Sequence, residues 1–255
     1  TEFYKDPGKA KVPPVPAVPV GALKVVMVGD SIGDNLGKGL RTWAENRTDV
    51  VVYDLAVPAC PLSRGHDRRI GPDTRFDVDP SCAWWDDPDS DRNRAFQQFA
   101  PDVVVTQDGI NEVFDRRLPS WGDWRSPGEP QFDSWLYDEY SAVFDRWTSA
   151  GAQVLVTNAP CGDWSRSFQE VANPQLRVQS VNLTYEKLPN VTRADLFQRV
   201  CPNGQYSDQV EGIPDARPDG FHFIPEASAA LATNWLGPLV LQTARSAPGP
   251  LRPRA

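Results

Sequence analysis

Ser31, His222 and Asp219 are the residues whose types and spacing could perform nucleophilic catalysis. A catalytic serine needs a base to take its proton, and the base needs a carboxylate to hold and stabilise its imidazole. The sequence contains 2 histidines. His66 lies in a long polar stretch, whereas His222 follows Asp219 by three residues, close enough on a turn for the carboxylate to reach the ring. Alone, that pattern is more typical of a surface turn with an incidental histidine.

The position of Ser31 makes it the strongest candidate nucleophile. It follows a near-continuous apolar run over residues 23–28, which predicts a buried strand, and Asp34 begins a pattern typical of a capped amphipathic helix. The apolar residues of that helix are Leu36, Leu40, Trp43 and Ala44. A serine on a strand-to-helix turn lies beside the positive end of the helix, where backbone N–H groups can stabilise an oxyanion. The alternative is that Ser31 only caps the helix and Gly29 serves the turn.

The composition is that of an ordinary globular protein and excludes several classes of partner. The chain has 255 residues, of which 40% are hydrophobic and 24% charged, enough for one sizeable core or two small ones. Its net charge of -8 argues against nucleic acid and against docking by charge on anionic lipid. No apolar run approaches ~20 residues, and no signal peptide precedes the fold although the chain begins with Thr1. We therefore expect a processed chain or an excised domain.

The 4 cysteines form an even set without a Cys-x-x-Cys pair, which argues against a zinc site and for two disulfides in an oxidising compartment. The pairing of sequence neighbours is Cys60–Cys82 with Cys161–Cys201, one of three connectivities that four cysteines permit. A bridge from Cys60 to Cys82 would close a loop of ~20 residues and contribute roughly 3 kcal/mol in the chain-entropy model.

Strands and helices are predicted to alternate between two irregular ends. Residues 1–22 are rich in proline, which predicts an extended linker, and residues 245–255 are expected to form a disordered tail. After the first strand and helix, further strands are predicted at 50–55, 101–106, 153–157 and 190–196, and helices at 91–99, 132–150, 174–188 and 225–244. This alternation predicts a parallel sheet covered on both faces. Residues 56–91 lack a convincing period, and loops this long usually carry a function or a cross-link.

Three short motifs, each weak alone, carry a resemblance to a known family. They are Gly29–Asp30–Ser31, Gly109–Ile110–Asn111–Glu112 and Asp219–Gly220–Phe221–His222. In this order the chain resembles the SGNH-hydrolase superfamily, also called GDSL-type esterases, over roughly residues 24–240. The resemblance implies an α/β fold, a flavodoxin-like three-layer α/β/α sandwich with a central parallel sheet, within one catalytic domain at 23–244. It also implies O-ester chemistry without a metal or other cofactor.

The resemblance gives each motif a role. It implies that Ser31 attacks an acyl carbonyl, that His222 acts as general base and then general acid, and that Asp219 stabilises the imidazolium. The oxyanion would be held by the N–H groups of Ser31 and Ala59 and by the side chain of Asn111.

Two residues depart from the pattern of the superfamily. Ala59 stands where a glycine normally supplies an N–H group to the oxyanion hole, and alanine suits that site only if the turn avoids a positive φ. Glu112 replaces the usual aspartate, which matters less because Asn111 is the residue that donates.

A finer resemblance concerns compartment and partners. The Ala-Cys-Pro-Leu sequence at 59–62, the cysteine-closed insertion and the proline-rich entry resemble extracytoplasmic SGNH domains fused behind acyltransferase-3 membrane domains. This similarity implies an extracytoplasmic location at the cell surface, in the periplasm or outside the cell. It also implies a membrane acyltransferase-3 domain in the same protein, and transfer of an acyl group, commonly acetyl, from an acyl donor to a glycan acceptor or to water.

Two alternatives belong to other classes. A haloacid-dehalogenase-like phosphatase would also carry a Gly-Asp motif after a strand, but it needs an Asp-x-Asp strand well upstream, where only the proline-rich segment stands. A glycan-binding module without catalysis would use aromatic stacking on sugars, and several of the 9 tryptophans lie in predicted loops. These are Trp84, Trp85, Trp121, Trp124 and Trp164.

Overall fold

The structure, a computed structural model, describes residues 10–65 and 67–246, in which strands and helices alternate. The strands are β1 Leu23–Gly29, β2 Val50–Asp54, β3 Asp67–Arg69, β4 Arg75–Asp77, β5 Val103–Gln107, β6 Asp115–Arg117, β7 Gln153–Thr157 and β8 Thr192–Ala194. The helices are α1 Ser31–Ala44, α2 Asp91–Phe99, α3 Pro130–Ser149, α4 Pro174–Lys187, α5 Leu196–Val200, α6 Pro225–Leu231 and α7 Gly237–Arg245. A π-helical turn, Ala232–Leu236, joins α6 to α7.

The central sheet has five parallel strands in the order β2-β1-β5-β7-β8. Renumbered among the parallel strands alone, this is the 2-1-3-4-5 order of flavodoxin-like folds, as the sequence predicted. The strands are rich in valine because helices cover both faces and leave neither one wet. The strand order reverses between β1 and β5, and open α/β sheets bind ligands outside the carboxyl ends of the strands at such a point.

Helices form a layer on each face of the sheet. On one face α1 packs against α6, and Gly39 permits the close approach, because a Cβ there would lie 2.2 Å from the carbonyl oxygen of Ser228. On the other face α3 packs against α4, and Phe96 of α2 stacks on Trp147 of α3 with ring centroids 5.8 Å apart. The predicted three-layer α/β/α sandwich is therefore confirmed.

A small antiparallel sheet with the order β4-β3-β6 lies outside the main sheet and was not predicted. Its strands come from the two long segments that the sequence analysis left without structure. Each strand has only three residues and is largely charged, so no alternation of apolar and polar residues could reveal it.

Both disulfides have the predicted pairing, Cys60–Cys82 and Cys161–Cys201. Residues 10–22 contain no helix or strand, and they contact the domain through a 2.6 Å hydrogen bond from the Tyr53 hydroxyl to the carbonyl of Pro13. The rest of the predicted linker, the predicted tail beyond Ser246 and His66 lie outside the described residues. Within 10–65 and 67–246, no helix is long and apolar enough to cross a membrane.

Candidate active site

Ser31, His222 and Asp219 form one continuous hydrogen-bonded line. The Nε2 atom of His222 lies 2.6 Å from Oγ of Ser31, and its Nδ1 atom lies 2.5 Å from Oδ2 of Asp219. Ser31 lies after β1 and the other two residues lie just before α6, so the fold brings together residues about 190 positions apart. This is the arrangement that a serine nucleophile, its base and an orienting carboxylate require.

Asp30, and not Ser31, caps helix α1. Its Oδ1 atom accepts hydrogen bonds from the N–H groups of Ile32 at 2.9 Å and Gly33 at 3.4 Å, which leaves the Ser31 hydroxyl to His222. The cap thus removes the alternative in which Ser31 serves only the helix end. The helix begins earlier than predicted, and Asp34 instead pairs with Lys38 at 2.6 Å.

Gly29 makes the turn before Ser31 possible. Its φ is 138°, a backbone conformation that residues with a side chain rarely adopt. A Cβ at this position would lie 1.7 Å from the carbonyl oxygen of Gln107. Only glycine lets β1 end this close to the end of β5, and this close approach sets the distance between Ser31 and the loop that carries Asn111.

The turn that carries His222 is held by Asp219. Its Oδ1 atom accepts the backbone N–H groups of Phe221 at 2.9 Å and His222 at 2.8 Å, so Oδ2 remains available to the imidazole. Burial raises the pKa of the Asp219 carboxyl, but the hydrogen bond from His222, the charge of His222 and the two N–H groups together outweigh it and hold the pKa below its ordinary value. Asp219 therefore stays ionised across the neutral range, as a partner of an imidazolium must.

The three candidate oxyanion donors line one cavity. These are Ser31, Ala59 and Asn111, and His222 lines the same cavity. Among the described residues, the N–H groups of Ser31 and Ala59 have no hydrogen-bond acceptor, so both are available to a ligand. The structure thus brings the predicted catalytic residues and the candidate oxyanion donors to one place.

The side chain of Asn111 is fixed from two sides. Its Nδ2 atom donates to Oδ2 of Asp30 at 2.9 Å, and its Oδ1 atom accepts from Nη1 of Arg68 at 2.5 Å. The amide has two N–H bonds, so one remains after the contact with Asp30. Burial holds the pKa of the Asp30 carboxyl above its ordinary value, because it outweighs the opposite effect of the hydrogen bonds that the carboxyl accepts and of the charge of His222.

The backbone of Ala59 differs from the expectation for this turn. Its φ is 65°, in the left-handed region, although an alanine donor was expected only in a turn that avoids positive φ. The turn therefore does not avoid positive φ: it keeps the conformation that glycine favours, and alanine adopts it at a cost of about 1–2 kcal/mol. Strain of this kind persists where surrounding contacts fix the backbone, and it clusters at functional sites.

Buried carboxylates provide some of those contacts. After the turn, three successive backbone N–H groups donate to side chains from the neighbouring segments. Those of Leu62, Ser63 and Arg64 donate to the carboxylates of Asp108, Glu112 and Glu139, respectively. Glu112, the departure from the superfamily pattern, also pairs with the buried Arg116 at 2.8 Å. Burial raises the pKa of Asp108 well above its ordinary value, and the charges of Glu112 and Asp30 raise it further, which favours a protonated carboxyl.

Sequence reasoning missed two parts of the cavity wall. One is Arg68 of β3, whose strand carries no readable pattern. The other is an arc of phenylalanines from four separate segments. Successive ring centroids lie 5.9 Å apart for Phe76 and Phe114, 5.1 Å for Phe114 and Phe168, and 5.5 Å for Phe168 and Phe221. No local spacing connects these residues, so only the fold could show that they meet.

The loop tryptophans pack mostly inside the protein. Trp84, Trp85, Trp124 and Trp164 are buried, and Trp121 packs edge-on against Trp135 with centroids 5.6 Å apart. Their rings are therefore anchors of the loops more than an open platform for sugars. Within the described ranges, no group of three or more His, Cys, Asp or Glu residues could hold a metal ion.

The fold also occurs in solved structures of known proteins. No family model and no curated protein matches the sequence. The periplasmic domain of a lipopolysaccharide acetyltransferase from Salmonella ser. Paratyphi A is similar with a TM-score of 0.59 and 14% identity, over 88% of this chain and 85% of that one. A GDSL-like lipase from Bacteroides thetaiotaomicron is similar with a TM-score of 0.54 and 13% identity, over 86% of this chain and 88% of that one. At such identities the likeness shows a shared fold.

Proposed function

We propose that Ser31 carries out O-acyl transfer or ester hydrolysis through an acyl-enzyme. The chain has the fold of the SGNH or GDSL-type hydrolases, as its sequence predicted. The observation that carries this proposal is the line from Ser31 Oγ through His222 to Asp219, with distances of 2.6 and 2.5 Å. The cavity beside Ser31 holds candidate donors for the charge that such a reaction develops.

The first half-reaction forms the acyl-enzyme. His222 Nε2 takes the proton of Ser31 Oγ as that oxygen attacks the acyl carbonyl, and the ionised Asp219 stabilises the imidazolium. The oxyanion accepts hydrogen bonds from the N–H groups of Ser31 and Ala59 and from the remaining N–H bond of the Asn111 side chain. The tetrahedral intermediate collapses when His222 gives its proton to the leaving alcohol oxygen, and the acyl group stays on Ser31 as an ester.

The second half-reaction returns the enzyme to its starting state. An acceptor hydroxyl or a water molecule gives its proton to His222 Nε2 and attacks the acyl carbonyl on Ser31. Collapse of this second intermediate breaks the bond to Oγ, and His222 returns the proton to Ser31. A sugar hydroxyl as acceptor gives O-acylation, and water gives hydrolysis.

We propose a glycan as acceptor or substrate, and an acetyl group as the acyl group. The similar Salmonella structure is the periplasmic domain of a lipopolysaccharide acetyltransferase. Two disulfides suit an oxidising, extracytoplasmic compartment. We also propose that an acyltransferase-3 membrane domain in the same protein supplies the acyl donor.

The other classes receive less support from the described residues. The non-catalytic glycan-binding module has no open row of tryptophans, because four of the five candidates are buried. The phosphatase alternative would need Asp30 as a metal ligand, but its carboxylate already accepts from Asn111, Ile32 and Gly33.

Turnover of a small acyl ester, followed by mass spectrometry of candidate glycans, tests the proposal. We expect the wild type to release the alcohol and Ser31→Ala to lose several orders of magnitude in rate. Ser246→Ala, at the exposed end of α7, is the matched serine control and should keep full activity. An active Ser31→Ala variant, or a wild type that binds a glycan but neither transfers nor hydrolyses any acyl group, contradicts the proposal.

A further inference from the structure

Arg68 links the two candidate oxyanion donors that come from different loops. Its Nη1 atom donates to Oδ1 of Asn111 at 2.5 Å, and its Nη2 atom donates to the carbonyl oxygen of Ala59 at 3.3 Å. The residue is only 3% exposed and lines the same cavity as Ser31. One buried cation therefore contacts both walls of the site in which negative charge would develop.

The small antiparallel sheet positions this guanidinium. Arg68 is the middle residue of β3 and pairs in register with Phe76 of β4 and Arg116 of β6. Its guanidinium carbon lies 4.1 Å from the ring centroid of Phe76 and 5.9 Å from that of Phe114. Aromatic faces at these distances attract a cation and limit the positions that the guanidinium can take.

The contact with Asn111 fixes the direction of the amide. Arginine only donates hydrogen bonds, so Oδ1 of Asn111 must face Arg68, and Nδ2 must face Asp30 and the cavity. A charged donor on Oδ1 also polarises the amide and strengthens its N–H bonds as donors. A flipped amide would present an oxygen to the oxyanion and repel it.

The contact with Ala59 acts on the backbone. Ala59 has a φ of 65°, which an alanine adopts only when its surroundings fix it. Arg68 binds the carbonyl of this residue, so it helps to hold the turn that carries the Ala59 N–H group at the edge of the cavity. The disulfide of the next residue, Cys60–Cys82, also restrains this turn.

We propose that Arg68 is a positioning residue that holds the Asn111 amide and the Ala59 N–H group in place for the oxyanion. This inference rests on the proposed function, since it concerns the same site. It assigns a role to the insertion between β2 and α2: the insertion supplies a fixed cation behind the oxyanion site.

Kinetics of an Arg68→Met variant test the inference, because methionine keeps much of the apolar stem without the charge. We expect kcat for a small acyl ester to fall about 10- to 100-fold, with KM changed less than about threefold, since the oxyanion forms only in the transition state. Arg68→Lys keeps the charge but reaches one partner, so it should recover part of the loss. Arg75→Ala is the matched control: it lies exposed on the neighbouring strand β4 and should keep wild-type kcat.

A double-mutant cycle separates positioning from general damage. If Arg68 acts through Asn111, Arg68→Met should lower kcat much less in an Asn111→Ala background than in the wild type. Equal losses in both backgrounds, or full activity of Arg68→Met in a folded protein, overturn the inference. If Arg68→Met does not fold, the cycle with Arg68→Lys decides by the same comparison. Failure of the proposed function looks different, because the wild type and Ser31→Ala would then show equal activity.

Discussion

The Oδ1 atom of Asn35 accepts the backbone N–H of Phe223 at 3.0 Å, so the loop that carries His222 is fixed to the helix that carries Ser31. Asn35 lies one turn after Ser31 in α1, and Phe223 directly follows His222. This hydrogen bond thus helps to fix the distance between Ser31, the proposed nucleophile, and His222, its proposed base.

Replacing Asn35 should therefore impair catalysis more than stability. We expect Asn35→Ala to lower kcat by about 10- to 100-fold, because a small displacement of a catalytic base is costly. The loss of one hydrogen bond should reduce the free energy of unfolding by only about 1 kcal/mol. Asn35→Asp keeps the acceptor and should retain most of the rate. Equal kcat values for Asn35→Ala and the wild type would show that the loop needs no such anchor.

The charge of Asp219 should matter for both activity and acid stability. Asp219→Asn can still accept the N–H groups of the turn, but it cannot stabilise an imidazolium, so we expect kcat to fall roughly 1,000-fold or more. Because the folded pKa of Asp219 lies below its ordinary value, the carboxylate stabilises the wild type above about pH 4. That contribution is lost as the pH falls through the lowered pKa.

Thermal unfolding of the wild type and Asp219→Asn at several pH values measures this contribution. The stability advantage of the wild type should be present at pH 6 and should shrink as the pH is lowered below about 4. An advantage that grows on acidification would show that the pKa is raised in the folded protein.

Asp54 should give the opposite dependence on pH. Its pKa is raised from 3.8 to about 7, mainly by burial and also by the charge of Asp34, although the hydrogen bond from Ala56 opposes the increase. The protonated form is therefore favoured in the folded protein, so its contribution to stability is complete below about pH 4 and is lost as the pH rises towards 7. The whole shift corresponds to at most about 4 kcal/mol.

Asp54→Asn removes this titration while it keeps the acceptor for Ala56. Its melting temperature should match that of the wild type near pH 4 and should exceed it increasingly up to about pH 8. A difference in melting temperature that does not vary between pH 4 and 8 would show that Asp54 is not buried in this way.

Phe168 should limit the length of the acyl chain. Its ring is part of the phenylalanine arc beside Ser31, and its φ of 61° is rare for a bulky residue, which indicates that the surroundings fix this position. For Phe168→Ala, we expect the ratio of kcat/KM for a hexanoyl ester to that for an acetyl ester to rise at least about 10-fold.

Two further variants control this measurement. Phe168→Gly removes the same ring and also relieves the strain of the positive φ. It should therefore show the same change in acyl-chain preference as Phe168→Ala, with a higher free energy of unfolding than that variant. Leu176→Ala, at an exposed position of α4, should change neither. An unchanged preference in Phe168→Ala would place the acyl chain on another side of the cavity.

Local patterns in the sequence singled out Ser31, His222 and Asp219, which the structure joins by hydrogen bonds, but not the contacts that position them. The apolar run of β1, the helical spacing after it and the three motifs were enough to predict the sheet, Ser31, Asn111 and His222. The helix cap was assigned to Asp34 instead of Asp30, because both aspartates stand near the start of an amphipathic pattern and only the backbone decides which one accepts. The cap matters here, since it frees the Ser31 hydroxyl.

The insertion was beyond sequence reasoning for a physical reason. Arg68 reaches the site through pairing between three-residue strands, and such short charged strands are stabilised by contacts from distant segments and not by local propensity. The positive φ of Ala59 depends in the same way on Arg68, on the disulfide and on the carboxylates around it. These contacts cannot be predicted from the residue types along the chain.

The most direct test of the account is the site of covalent labelling by a serine-directed phosphonate. The wild type should gain one phosphonyl group by intact mass, and peptide mapping should place it on Ser31, because the proposed base His222 lies 2.6 Å from that oxygen. Labelling should disappear in Ser31→Ala and fall sharply in His222→Ala. A phosphonyl group on another residue, or no labelling of the folded wild type, would contradict the assignment of Ser31 as the nucleophile.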